Sequence, residues 1–112
     1  MTFARQPERV PPAGMKGGNG LSVEVCDASA AVLRRYREDC AEACFMPAQS
    51  PDWVSAWTRH TPHPSIIVRL CDGQGHLLSL ALEVVQKGRF RIARFIGDRR
   101  ANGNFPALHV RL

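Results

Sequence analysis

The sequence lacks several features that would each assign the protein to a class. Its longest apolar stretch, Leu77 to Leu82, is far shorter than the roughly 20 residues that cross a bilayer, so no membrane segment and no membrane partner is predicted. The N-terminus has no apolar stretch followed by a small-residue cleavage site, which predicts a cytoplasmic location. No Lys-Ser/Thr pair follows the glycines at 17–20, so they do not form a phosphate loop.

Cysteine is sparse, with 4 residues in the chain. The reducing cytosol favours free thiols, and we expect the cysteines to act mainly as small buried hydrophobes. Cys40 and Cys44 precede His60 and His63 in a C-x3-C…H-x2-H pattern. A zinc site needs four converging ligands, and the segment between the pairs contains Pro47, Pro51 and a helix with two tryptophans, unlike a compact finger. The sequence therefore predicts no metal site and places both cysteines on the apolar face of a helix.

The first twenty residues are rich in proline, glycine and charge, which predicts a disordered leader over residues 1–20. Residues 21–112 then form one domain. Within it, residues 21–86 carry five basic and eight acidic groups, whereas the chain from Lys87 onward carries seven basic groups against Asp98. That asymmetry supports one possible function, a small basic module that binds phosphate-rich or nucleic-acid partners. Nucleic acid is the less favoured partner because Phe90 and Phe95 fall on opposite strand faces.

Periodicity predicts the first half of the domain. Alternation over residues 21–26 predicts a strand with Leu21, Val23 and Val25 on its buried side. Helical spacing of apolar residues predicts an amphipathic helix over residues 30–44. A second helix begins at Ser50-Pro51-Asp52 and ends by residue 61, before two prolines.

Three strands joined by tight turns follow, over residues 65–71, 76–86 and 89–96. The middle strand places four aliphatic residues on one face and Glu83 on the other, so Glu83 is interpreted as an acid on an exposed face and, secondarily, as a general base. A bulge or strand end near Ala93 is expected, and residues 107–112 begin another strand or helix. The order β-α-α-β-β-β defines an α+β fold with a mostly antiparallel sheet.

The run Gln49-Ser-Pro-Asp-Trp-Val-Ser-Ala-Trp57, followed by Ala93-Arg-Phe-Ile-Gly97 and Asn102-Gly-Asn-Phe-Pro106, resembles the N-terminal half of the CelD/BcsL-like proteins of the GNAT superfamily, which are associated with bacterial cellulose biosynthesis. The resemblance covers roughly residues 23–108. It implies the opening of a GNAT fold and acyl transfer from acetyl-CoA to an amine, with the protein positioning both substrates and accepting a proton.

In that superfamily the coenzyme A pyrophosphate is held at a helix N-terminus by a Q/R-x-x-G-x-G/A loop, which this sequence does not contain. The resemblance therefore assigns no catalytic or cofactor-binding residue here, and acetyl-CoA is expected only in the complete protein. Residues 21–112 are expected to be an incomplete GNAT-like domain, inactive alone. Its predicted partner is the missing C-terminal half, or another copy meeting it at an open sheet edge.

Two roles remain open for the tryptophans of the second helix. They either pack the helix on the sheet as core residues, or Trp57 lies at the mouth of an acceptor-substrate cleft. In the second case, the loop residues Asn102, Asn104 and Phe105 line the same cleft.

Overall fold

The structure is a computed structural model that describes residues 20–97 and 106–111. Asn102, Asn104, Phe105 and residues 1–19 of the predicted leader lie outside the described residues. The elements in chain order are β1 (Ser22–Asp27), α1 (Ala30–Cys40), β2 (Ala43–Cys44), a 3-10 turn (Pro47–Gln49), α2 (Pro51–His60), β3 (Ser65–Asp72), β4 (Gly75–Lys87), β5 (Phe90–Phe95) and β6 (Ala107–His109). The α+β class with a mostly antiparallel sheet is confirmed, and β2 and β6 add two short strands.

Both helices begin where their sequences indicate. The Ser29 hydroxyl accepts a hydrogen bond from the Val32 amide, and the Ser50 hydroxyl accepts one from the Trp53 amide, so each serine caps a helix. Pro51 occupies the first turn of α2, where its missing N–H costs nothing. Neither described helix is long and apolar enough to cross a membrane.

The prediction that α1 continues to Cys44 is wrong. α1 ends at Cys40, and the chain turns at Ala41 so that Ala43 pairs with His109 in β6. Cys40 is therefore buried under the helix, whereas Cys44 lies exposed in a strand rather than on the same helix face. Pairing with a distant strand overrides the helical spacing of these residues.

β4 is the long central strand of the sheet, whose order is β1-β3-β4-β6-β2 with β5 also paired to β4. One edge of β4 pairs with β3, and the other edge pairs first with β6 at Leu78 and Ser79 and then with β5 from Leu82 onward. All pairs are antiparallel. The ladder between β4 and β5 is regular, so the bulge expected near Ala93 is absent. The register shifts instead between β3 and β4, where Leu70 pairs with Leu78 and Cys71 with His76, so that Leu77 of β4 is the extra residue.

The helices pack on the face of β4 that carries polar residues, not on the face that carries its leucines. The helices cover the face that carries Ser79, Ala81 and Glu83, which are exposed by 1% or less, and the core beneath them contains Tyr36 and Val54. The opposite face carries the aliphatic row of β4, of which Leu78, Leu80 and Leu82 are only half-buried, together with half-buried Val23 and Val25 of β1. The polar row of β4 therefore faces the helices.

The side chain of Gln49 occupies a gap along one edge of β4, between the part that pairs with β6 and the part that pairs with β5. Among the described residues, Leu80 and Ala81 have no strand partner on this edge. The Gln49 side chain replaces one: its Oε1 accepts from the Ala81 amide at 2.8 Å, and its Nε2 donates to the Ala81 carbonyl at 3.2 Å. The Tyr36 hydroxyl donates to the Gln49 side chain at 3.2 Å and also to its backbone carbonyl, so Gln49 connects α1 to the sheet.

Candidate functional site

A polar cavity lies between the C-terminal end of α1 and the strands β3, β4 and β6. It has a volume of about 290 Å³. We call it the His76 pocket, and its lining residues are Glu38, Asp39, Glu42, Arg69, Gln74, His76 and His109. Three carboxylates and two histidines thus meet at the end of a helix, where the backbone carbonyls also attract positive charge.

Asp39 and Arg69 form the fixed part of this pocket. Arg69 Nε donates to Asp39 Oδ2 at 2.7 Å and Arg69 Nη2 donates to Oδ1 at 3.1 Å, which is a bidentate pair. The hydrogen bonds to Asp39 raise the pKa of Arg69 further above its already high value. Both side chains are at most 18% exposed, so the pair orders the pocket wall, and its two charges cancel.

His76 lies against this pair with its side chain 6% exposed. Its Nε2 is 2.9 Å from Ser79 Oγ and 3.9 Å from Asp39 Oδ2. Burial lowers the pKa of His76 against the opposing field of Asp39, so the neutral imidazole predominates at pH 7. Because serine and aspartate approach the same ring nitrogen and Ser79 is fully buried, this group is not a nucleophilic triad.

His109 supplies the second imidazole of the pocket. Its ring meets His76 edge to face with centroids 6.1 Å apart, and its Nε2 lies 3.2 Å from Glu42 Oε1. Pairing of β6 with β2 and β4 brings His109 here from the far end of the chain. The Glu42 side chain is 74% exposed, so the pocket opens to solvent on the side of its carboxylate.

A second cavity of about 280 Å³ lies beside Trp57, and we call it the Trp57 pocket. It is lined by Trp57, His60, Thr61, Pro62, His63 and Arg94. The indole of Trp57 stacks on that of Trp53 with centroids 6.0 Å apart, and Trp57 Nε1 donates to Glu83 Oε1 at 2.9 Å. Trp57 thus packs helix on sheet and also forms a pocket wall.

Glu83 lies beneath this second pocket, and its interpretation as an acid on an exposed face is wrong, because it is 0% exposed. Trp57 and Thr61 donate to Oε1, and Arg94 Nε donates to Oε2 at 2.7 Å. Burial favours the neutral carboxyl, but the three hydrogen-bond donors outweigh burial and hold the pKa of Glu83 below its usual value. A carboxylate so fully paired is a structural anchor rather than a general base.

The described residues contain no group of three or more histidine, cysteine or acidic side chains with the geometry to hold a metal ion. The four residues of the C-x3-C…H-x2-H pattern are separated: Cys40 lies in the core, Cys44 is exposed in β2, and His60 and His63 line the Trp57 pocket. Burial raises the pKa of the Cys40 thiol to about 11, which makes it unreactive at neutral pH.

The N-termini of α1 and α2 do not fit the coenzyme A pyrophosphate. Such a group requires open amides at a helix N-terminus. In α1 and α2 a serine hydroxyl already occupies that position, and Asp52 adds a negative charge to the first turn of α2. No binding step for acetyl-CoA is therefore derived from these helices.

The comparisons with known proteins leave the family open: no family model, no curated protein and no solved structure matches this chain. Of the predicted cleft, the structure describes only Trp57. Sequence reasoning missed the His76 pocket, since Asp39, His76 and His109 follow no spacing rule. Asp39 and His76 meet through the packing of α1 on the sheet, and the pairing of β6 adds His109. The only available signal was the accumulation of acids near the end of α1.

Proposed function

We propose that this chain forms the acceptor-binding part of an acyl-CoA-dependent N-acyltransferase of the GNAT type. Two observations support the proposal besides the family resemblance, which is carried by the run from Gln49 to Trp57. The order β-α-α-β-β-β is retained with short strands added, and the His76 pocket has the chemistry that an amine acceptor requires. The second observation carries the proposal.

An amine in water at pH 7 is an ammonium ion, and it must lose a proton before it can attack an acyl group. Glu38 and Glu42 supply negative charge at the pocket mouth, since the charge of Asp39 is already balanced by Arg69. The carbonyls at the end of α1 add to the attraction. The imidazoles of His76 and His109 are groups that can then accept the proton.

In the proposed enzyme, acetyl-CoA supplies the acyl group and is bound by a partner region outside the described residues. The chain by itself is expected to bind amines without transferring acyl groups. A cytoplasmic location belongs to the same proposal, and all four cysteines being free fits a reducing compartment.

The test is a titration of isotopically labelled protein with butylamine, followed by amide NMR shifts. We expect residues around His76 and Glu42 to shift, while butanol, which lacks the charge, moves none of them. Glu42→Gln is expected to weaken butylamine binding severalfold. The matched control is Asp52→Asn, which also removes one exposed acid but lies away from the pocket.

Acetyl-CoA alone is expected to cause no saturable shifts. Amine binding that is unchanged in Glu42→Gln, or shifts confined to the Trp57 pocket, would contradict the assignment of the acceptor to the His76 pocket. In the second case Trp57→Phe would weaken binding in a folded protein, which would support the cleft inferred from the sequence.

A further inference from the structure

The hairpin of β4 and β5 extends beyond the rest of the sheet. β4 pairs with β3 only as far as Glu83, but it pairs with β5 up to Lys87. Gly88 closes the turn with φ of 62°, a conformation that favours glycine. Residues 86–93, which we call the hairpin end, are all exposed.

The hairpin end combines positive charge with exposed apolar surface. Lys87, Arg89 and Arg91 lie within it, and it contains no acidic residue. Phe90 is 68% exposed and Ile92 43% exposed. These two residues are spaced two apart in one strand and therefore share a face of the hairpin. Lys87 pairs with Phe90 and lies on that face, whereas Arg91 pairs with Gln86 on the opposite face.

This surface is independent of the pocket assigned above. The His76 pocket lies near the start of β4, and the hairpin end lies at the other end of that strand, 11 residues away between His76 and Lys87. At roughly 3.3 Å per residue, the two are separated by about 35 Å. An experiment that contradicts one of the two assignments therefore does not contradict the other.

We propose that the hairpin end is a docking surface for an acidic peptide segment that also carries apolar side chains. Exposed phenylalanine and isoleucine side chains are removed from water when such a segment binds, and this stabilises the complex. Carboxylates on the segment complement Lys87, on the same face, and Arg89 in the adjoining turn, and they increase its association rate. An extended segment repeats every two residues, which matches the spacing of Phe90 and Ile92.

Two other occupants fit the surface less well. Single-stranded nucleic acid binds by stacking bases on aromatic rings, which uses Phe90 but gives Ile92 no partner. A second copy of the chain that meets this hairpin end with its own would bring like charges together, an arrangement that destabilises pairing.

The test is fluorescence anisotropy with a short labelled peptide in which glutamate and valine alternate. Reversing two charges, in Lys87→Glu with Arg89→Glu, is expected to weaken binding by about tenfold or more. The matched control is Arg34→Glu with Arg59→Glu, which makes the same change in net charge at exposed positions on α1 and α2. We expect binding to this control within about twofold of the unmodified protein.

A second pair of variants tests how much the exposed apolar side chains contribute to peptide binding. Phe90→Ser is expected to weaken binding severalfold, whereas Val110→Ser, which changes a residue that is 66% exposed elsewhere, is expected to leave it unchanged. Both positions are solvent-exposed, so both variants should fold normally by circular dichroism.

Three results would overturn the proposal. The first is equal affinity for a peptide in which serine replaces valine, because the apolar contacts would then contribute nothing. The second is tighter binding of oligothymidylate than of the peptide, which would identify a nucleic-acid surface. The third is peptide binding that is unaffected by both sets of hairpin variants.

Discussion

Glu83 and Arg94 face each other across neighbouring strands, and Arg94 Nε donates to Glu83 Oε2 at 2.7 Å. The carboxylate is fully buried and its other oxygen is bonded by Trp57 and Thr61, at the end of α2. One acidic side chain therefore ties together β4, β5 and the end of α2.

Replacing Glu83 with alanine should destabilise the fold strongly. Glu83→Ala removes the acceptor of three hydrogen bonds and leaves the Arg94 charge partly buried, so we expect the free energy of unfolding to fall by about 3 kcal/mol in urea titrations. Glu38→Ala removes an exposed acid and should change it by about 0.5 kcal/mol or less. Equal losses in the two variants would show that the Glu83 cluster contributes no more than surface charge.

Gln49 should be equally difficult to replace. Gln49→Ala leaves the buried amide and carbonyl of Ala81 without their side-chain partner, which we expect to lower the free energy of unfolding by about 2 to 4 kcal/mol. Gln49→Glu keeps the acceptor but loses the donor, and it should also destabilise the fold. Gln74→Ala, at an exposed position, is the control. An unchanged free energy of unfolding in Gln49→Ala would mean that water or another side chain bonds the Ala81 backbone in place of Gln49.

The pair of Asp72 and Arg111 should make stability depend on acid pH. Hydrogen bonds from Arg111 and from the Gln74 amide lower the pKa of Asp72 from the usual 3.8 to about 2. Because the folded protein binds this proton less readily than the unfolded chain, the stabilisation is complete above pH 3.8 and is lost as the pH falls towards 2.

Asp72→Asn should flatten this part of the stability profile, measured by urea unfolding between about pH 4.5 and 2. Asp52→Asn, at a carboxylate whose side chain is 89% exposed, should retain the profile of the unmodified protein. The same loss of stability in both unmodified and Asp72→Asn protein would assign the acid sensitivity to other carboxylates.

Local signals were sufficient to predict most of the elements. Ser50 and Pro51 mark the start of α2, and the β-branched run from Ser65 gives β3 without ambiguity. The end of α1 was not predictable, because the residues after Cys40 fit a helix locally and leave it only to pair with β6. Short strands formed by distant partners have no periodicity of their own.

The burial of Glu83 could not be predicted from the sequence for a different reason. Alternation in β4 correctly separates Leu80 and Leu82 from Ala81 and Glu83, but hydrophobicity alone suggests that the leucine face is the one under the helices. The helices lie on the other face because Trp57, Thr61 and Gln49 provide hydrogen-bond partners for the polar groups there. Partners so distant in sequence cannot be recognised from spacing.

The side-chain amide of Gln49 also distinguishes one alignment of β4 from its neighbours during folding. Successive residues of a strand direct their N–H and C=O groups to opposite edges, so Ala81 offers both groups to Gln49 whereas Leu80 directs its own towards β3. If β4 shifted by one residue, the side-chain amide of Gln49 would face a residue whose N–H and C=O groups point to the other edge, and it would lose both hydrogen bonds. Gln49 thus favours the single alignment in which Glu83 meets Trp57, and a misaligned chain loses both contacts together.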